Sequence, residues 1–212
     1  MTGKTHISIG LVASATVLSI SNPTVENVTD GLAIGTLGAL MPDIDTGRST
    51  ISYKVRKILL YIMIGVLTTY ILISNFSNQI EMINSVFQRI GLNKLTSYVP
   101  HNLKFSNTGL VIILACMIFS QFTKHRSFAH SILGLVLFTI GFKLLLGNLA
   151  LYFAVGFISH MIADTLTNSG IEIFYPIRKK VALKLIHTGS VMDHVIGGLA
   201  FIYFISAMSK IL

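Results

Sequence analysis

The sequence is poor in charge. Its 16 Lys plus Arg and 8 Asp plus Glu make up 11% of 212 residues, where a soluble domain carries roughly a quarter. With 52% apolar residues and a mean hydropathy of +0.74, a soluble single-core protein is excluded. A domain of this size still exposes much of its chain, so the apolar excess must face lipid. Cysteine is nearly absent: the one thiol, Cys116, lies in an apolar stretch. That excludes an intramolecular disulfide and argues against a thiolate-rich structural zinc site. Acidic residues are half as many as basic ones, for a net charge of +8. No basic run with interleaved aromatics accompanies that excess, so no nucleic-acid partner is expected. The cations are assigned instead to anionic lipid headgroups.

What is present is a series of apolar stretches at 7–20, 32–41, 58–74, 108–122, 128–146, 149–163 and 195–208. They predict an all-α, polytopic membrane bundle of about seven helical segments, with 1–212 as a single integral membrane domain. Several segments are shorter than the roughly 20 residues of a standard span. Asp30-Gly31, Pro42, Asn107-Thr108 and Gly147-Asn148 supply helix punctuation, and Asp30 and Asp193 read as N-caps. Long connections occur only at 75–107 and 165–193. In the first, Ile80, Ile83, Phe87 and Ile90 recur at helical spacing, which predicts a surface amphipathic helix. Lys4 precedes an apolar stretch, but no small-residue cleavage motif follows Ile20, so no cleaved signal peptide is expected.

If the segments alternate, one face receives eleven cations: Lys4, Arg48, Lys54, Arg56, Lys57, Lys124, Arg126, Arg178, Lys179, Lys180 and Lys184. The other receives five, Arg89, Lys94, Lys104, Lys143 and Lys210. The positive-inside rule makes the first face cytoplasmic.

Ionisable residues are costly beside a membrane, so their positions carry information. His6 opens the first segment, Met41-Pro42-Asp43-Ile44-Asp45 closes the second, His125-Arg126 and His130 open the fifth, and His160 and Asp164 close the sixth. All map to the same face. His160 and Asp164, at i and i+4, project side by side from one helix. Four imidazoles and three carboxylates at one level form a candidate shell for one or two divalent metals. The mixed nitrogen and oxygen set suits zinc best, with manganese or iron as alternatives. Arg126 adds a planar fork for a phosphate or carboxylate of a substrate. His101, His187 and His194 read as structural.

A repeat is also visible. Thr5-His6-Ile7-Ser8-Ile9-Gly10 and Ala129-His130-Ser131-Ile132-Leu133-Gly134 share H-x-x-x-G, and Gly35 and Gly156 each stand eight residues before an aspartate, Asp43 and Asp164. Two parallel hairpins, 6–43 and 130–164, are therefore expected to build the site, with 58–122 as an inserted hairpin carrying the polar loop 75–107. Gly10, Gly35, Gly134 and Gly156 are expected at the contacts between them.

Four motifs together resemble the YdjM-type, LexA-regulated inner-membrane metal-dependent hydrolase family of bacteria: T-H-x-x-x-G at Thr5 to Gly10, L-M-P-D-I-D at Leu40 to Asp45, H-R-S-x-x-H-S at His125 to Ser131, and G-F-I-S-H-x-x-x-D at Gly156 to Asp164. Met41 beside the proline, Ser127 in place of glycine and Ala129 in place of threonine depart from the family pattern at non-ligand positions. The resemblance implies a multi-pass inner-membrane location and the metal ligands His6, Asp43, Asp45, His125, His130, His160 and Asp164. The expected chemistry is attack on a phosphoester or related bond by water that the cation acidifies. Asp45 or Asp164 would take the proton and Arg126 would neutralise developing charge. A site at headgroup level favours a lipid substrate. The competing classes are a divalent metal-ion transporter and a membrane scaffold stitched by metal without catalysis.

The cation asymmetry makes the first prediction. A reporter that works only outside the cytoplasm will be active when fused after Leu212 and silent when placed within 170–190. The reverse pattern overturns the orientation.

Overall fold

The computed structural model describes residues 1–21, 25–45 and 103–211, together with Tyr61, Ile64, Gly65, Thr68 and Arg89. Of Val25, Glu26, Ile44, Asp45 and 103–106 it describes the backbone alone. The described residues form six α-helices, α1 (Gly3–Ile20), α2 (Val25–Leu40), α3 (Leu103–Phe122), α4 (Ile132–Leu146), α5 (Ala150–Thr165) and α6 (Val191–Ile211), with three short 3-10 turns and no strands beyond two isolated bridges. The third apolar stretch, 58–74, lies outside the described residues except at four positions, and the amphipathic helix expected in 75–107 lies outside them up to Leu103 apart from Arg89. Six of the expected segments are thus whole helices, and the third falls outside the described residues apart from four positions, all of them helical.

α1, α2, α3 and α6 begin where their backbone donors find partners, which is earlier than hydropathy suggests, whereas α4 begins later, after its 3-10 turn. Asp30 is not an N-cap but lies within α2, and Asn107-Thr108 lie within α3. Hydropathy marks where a helix meets lipid, while the hydrogen-bond ladder continues into its polar ends. Asp193 likewise stands inside the first turn of α6, and Ser190 is the capping residue, its Oγ accepting from Asp193 N–H at 3.4 Å. Thr2 caps α1 by accepting from Thr5 N–H at 3.4 Å, and Ser131 caps α4 by accepting from Gly134 N–H at 3.1 Å.

α2 runs directly into a 3-10 turn, Met41–Asp45, where Pro42 has no N–H with which to continue the ladder. α4 stops at Gly147, whose φ of +61° is a backbone conformation that suits glycine. Phe142 stacks on Phe153 with 4.0 Å between ring centroids, and Phe138 meets Phe157 at 6.1 Å. That pairing makes α4 and α5 an antiparallel hairpin. The apolar stretch Ile132–Thr165, long enough to cross a membrane by length and composition, therefore turns back at Gly147–Leu149, whereas the second such stretch, Val191–Ile211, is the single helix α6. Val195, Leu199, Ile202, Tyr203 and Ile205 line the exposed side of α6.

α2 packs on α5, α1 against α2, α5 and α6, α3 on α4. These contacts close because small residues let backbones approach. A Cβ on Gly156 would strike the Gly35 carbonyl, one on Gly38 would strike that of Phe153, and Gly109 and Gly141 meet similarly across α3 and α4. Gly35 and Gly156 thus lie between the two hairpins as expected. Gly10 instead meets Ala39 within the first hairpin, and Gly134 meets the Phe128 carbonyl of its own turn. The hairpins also approach the site with different local structure. His6 lies inside α1 while His130 closes a 3-10 turn ahead of α4, and Asp43 lies in a turn while Asp164 lies in a helix.

The Gly35–Gly156 crossing generates a stability prediction. Gly156→Leu will lower thermal stability in detergent by about 1–3 kcal/mol, the usual cost of overpacking. Gly198→Ala on α6, where a Cβ meets open space, will change it little. Equal melting of both variants would show that the crossing does not hold the bundle.

Candidate metal centre

With α1 and α4 starting, and α2 and α5 ending, at one end of the bundle, the ionisable side chains of four elements converge there. His6 comes from the first turns of α1, Asp43 from the turn after α2, His130 from the turn before α4, and His160 and Asp164 from one face of α5. His6, His130, His160 and Asp164 are buried, and the Asp43 side chain retains 17% exposure.

Their donor atoms crowd a small volume. His130 Nε2 lies 3.2 Å from His160 Nε2, and 3.7 Å from both Asp43 Oδ1 and Asp164 Oδ2. His160 Nε2 lies 3.9 Å from Asp43 Oδ1 and 3.7 Å from Asp164 Oδ2. Donors bound tetrahedrally to a transition metal at about 2.0–2.1 Å stand roughly 3.3 Å apart, so this spacing fits a shared cation with slight closure. On the other side of Asp164, Oδ1 faces His6 Nε2 at 3.2 Å, and the His6 ring stacks on His160 at 3.7 Å. Two groups, His6 with His160 and Asp164, and Asp43 with His130 and His160, could each hold a metal ion.

The surroundings aim these donors inward. His160 Nδ1–H donates to the Ala39 carbonyl at 2.7 Å, one of the carbonyls left over where α2 ends. That bond leaves the Nε2 lone pair directed at the cluster, the usual second partner of a metal-binding imidazole. Nδ1 of His6 and Nδ1 of His130 are buried without a hydrogen-bond partner among the described residues, while His6 Nε2 and Asp164 Oδ2 are met only by ionic neighbours, Asp164 Oδ1 and Arg126 Nη2, each at 3.2 Å. Each such group costs about 1–3 kcal/mol, and a cation relieves those that face it. Burial alone would raise the Asp43 pKa, but the imidazoles of His130, His160 and His6 facing it outweigh that effect. The carboxyl is held well below its usual range and meets a cation ionised. The Met1 amino group also pairs with Asp164 Oδ1.

Arg126 stands at the margin. Its backbone takes a left-handed φ of +66°, uncommon for a residue with a Cβ, and is held there by the Glu172 N–H, which donates to its carbonyl at 2.9 Å. The guanidinium Nη2 lies 3.2 Å from Asp164 Oδ2, and Nη1 donates to Thr167 Oγ1 at 3.3 Å. Ser127 Oγ, also buried, donates to the buried Glu172 carboxylate at 2.7 Å. His125, half-buried, meets the His130 ring edge-on at 5.2 Å, and its nitrogens are not in either convergent group. The Asp45 side chain and His101 lie outside the described residues. His187 and His194 are exposed, and His187 lies 3.3 Å from the Asn168 amide.

Two acids have roles that the sequence did not reveal: Asp193, expected as an N-cap, and Glu172. Asp193 Oδ2 accepts from the N–H groups of Thr2 at 2.9 Å and Gly189 at 2.8 Å, binding the start of α1 to the start of α6. The Ser190-x-x-Asp193 spacing of a capping box was the available signal. Glu172 is a lone acid in a long connection and carries no signal in the sequence.

A protein-family model described as YdjM inner membrane protein matches residues 1–211. No curated protein and no solved structure matches the chain.

The geometry predicts that purified protein binds a divalent transition metal and that His160→Ala or Asp164→Ala removes most of it, as read by elemental analysis, while His187→Ala does not. Equal metal content in all three variants overturns the centre.

Proposed function

The chain belongs to the YdjM inner membrane protein family, and on that premise we propose that it is a membrane-embedded, metal-dependent hydrolase acting at headgroup level on a phosphoester, with lipids as the substrate class. The observation that carries the reading is the buried His/Asp cluster at one end of the bundle, with neighbouring ligand atoms 3.2–3.9 Å apart and an arginine beside it.

In this reading His130, His160, Asp43 and Asp164 hold the cation, most consistently zinc, with manganese or iron as alternatives. A bound divalent ion supplies Lewis-acid polarisation of a phosphoryl oxygen and acidifies water. The Ala39 carbonyl keeps the His160 ring oriented. Asp164 Oδ1 and His6 Nε2, 3.2 Å apart, form a carboxylate–imidazole pair that can accept and pass on a proton, and Asp45 is a second carboxylate for that role. Arg126 has five N–H donors. Contacts to Asp164 and Thr167 engage one on each terminal nitrogen, and the remainder are available to equatorial phosphate oxygens. The partial exposure of Asp43 supports approach of substrate from its side, and the cation asymmetry of the sequence supports a cytoplasmic face for it.

A transporter would use the same donors but places them near the bilayer midplane. Here they gather at the ends of α1, α2, α4 and α5, while the inner faces midway along α4 and α5 are filled by Phe138, Phe142, Phe153 and Phe157. That distribution supports hydrolysis over transport.

The test pairs untargeted lipidomics of cells overproducing the wild type or His160→Ala with assays of Arg126→Lys on the lipid or phosphoester so identified. Arg126→Lys will retain metal and lose turnover roughly 100-fold, the scale of one lost charge-stabilising donor. A metal-free or fully active Arg126→Lys overturns the role of the arginine, and identical lipid profiles of wild type and His160→Ala overturn the lipid assignment.

A further inference from the structure

The connection from α5 to α6 is fastened to the bundle through its backbone. Asn168 N–H donates to the Ile186 carbonyl at 3.1 Å, and Ile171 and Val181 exchange bonds of 3.1 and 2.8 Å. Leu183 and Leu185 N–H groups donate to the carbonyls of Thr165 at 2.7 Å and Leu166 at 3.0 Å. With backbone polarity directed inward, and Lys184 in a left-handed φ of +56° between the two leucines, the side chains are left outside. Phe174, Ile177, Leu183 and Leu185 are 54, 65, 59 and 70% exposed. A connection ordered by this many backbone bonds and bathed in water has no reason to display four large apolar side chains.

Arg178, Lys179, Lys180 and Lys184 are exposed among them. The sequence has no acid between Glu172 and Asp193, and both of those are buried. The segment joins the end of α5, the second arm of the apolar hairpin Ile132–Thr165, to the start of α6, which is long and apolar enough to cross a membrane. It therefore lies where the hydrocarbon core gives way to headgroups. Its root touches the metal centre, since Thr167 accepts from the Arg126 guanidinium and Glu172 holds the Arg126 carbonyl.

We propose that residues 173–187 are a docking surface for anionic phospholipid beside the metal centre, with the apolar tips entering the acyl boundary and the four cations meeting headgroup phosphates. Apolar side chains interleaved with cations complement a surface whose negative layer overlies an apolar one. The proposal goes beyond the hydrolase reading and requires no turnover.

The chain has no tryptophan, so Phe174→Trp or Leu185→Trp places a single indole probe on the strap of the full-length protein. Each is reconstituted in vesicles of phosphatidylcholine with a minority of phosphatidylglycerol, brominated on one lipid or the other. Both probes will emit at blue-shifted wavelengths. Their quenching, corrected for lipid content, will favour brominated phosphatidylglycerol by at least roughly fivefold, the worth of one cation at a charged surface. Changing Arg178, Lys179, Lys180 and Lys184 together to Gln will abolish that preference and leave quenching by both lipids. Equal quenching by the two lipids in the parent, or a preference that survives the quadruple change, overturns the proposal. So does an indole shielded from both lipids and from aqueous acrylamide, which would show a protein partner on the strap. A Leu199→Trp probe on α6 separates the premises: strap probes open to acrylamide while Leu199→Trp is quenched by lipid overturn the strap alone, and acrylamide access at both overturns the membrane placement as well.

Discussion

A carboxylate removed from water into an apolar bundle must be paired, and Asp164 is the group on which that requirement falls most heavily. Its neighbours are the Met1 amino group, His6, His130, His160 and Arg126, drawn from the start of the chain and α1, the connection between α3 and α4, and its own helix. Much of the bundle can be understood as the means of bringing them there. Gly35 and Gly156 allow α2 and α5 to touch backbone to backbone, which places the Ala39 carbonyl within reach of His160 and carries Asp43 to the same point. Breaking an arrangement of this kind by removing one partner costs several kcal/mol, because the remaining charge stays buried. The crossing and the site are therefore energetically one unit, although the glycines lie outside the cluster.

Helix length reinforces this placement. At about 1.5 Å per residue, the 15 residues of α4 and 16 of α5 fall short of the roughly 30 Å hydrocarbon thickness. The site at their shared end is thereby drawn toward the acyl boundary without leaving the protein interior. The strap after α5 surrounds the same end with cations and apolar tips, so the features that define the site and those that define its surroundings meet at Thr167, Arg126 and Glu172.

The all-helical class and the one-sided gathering of His6, Asp43, His130, His160 and Asp164 could be read from the sequence. A costly residue at the end of an apolar stretch is visible against its background, and alternation of segments then assigns it a face. The helix starts were not legible in the same way, because Asp30 and Asn107 resemble caps while the hydrogen-bond ladder runs on through them. The position of His125 depends on the left-handed turn at Arg126, where no glycine announces it. Glu172 and Asp193 acquire their roles from partners 45 and 191 residues away, distances at which hydropathy and periodicity carry no information.

The link from Asp193 to Thr2 also sets an order of events during biogenesis. A ribosome releases Thr2 long before the acid that accepts its N–H, so until then the first turn of α1 is capped by the Thr2 side chain alone. The cluster donors are all translated by the end of α5, but the latch on α1 closes only when α6 has been inserted. A nascent chain stalled before α6 therefore carries all the clustered His and Asp side chains and lacks only the acid that receives the Thr2 N–H.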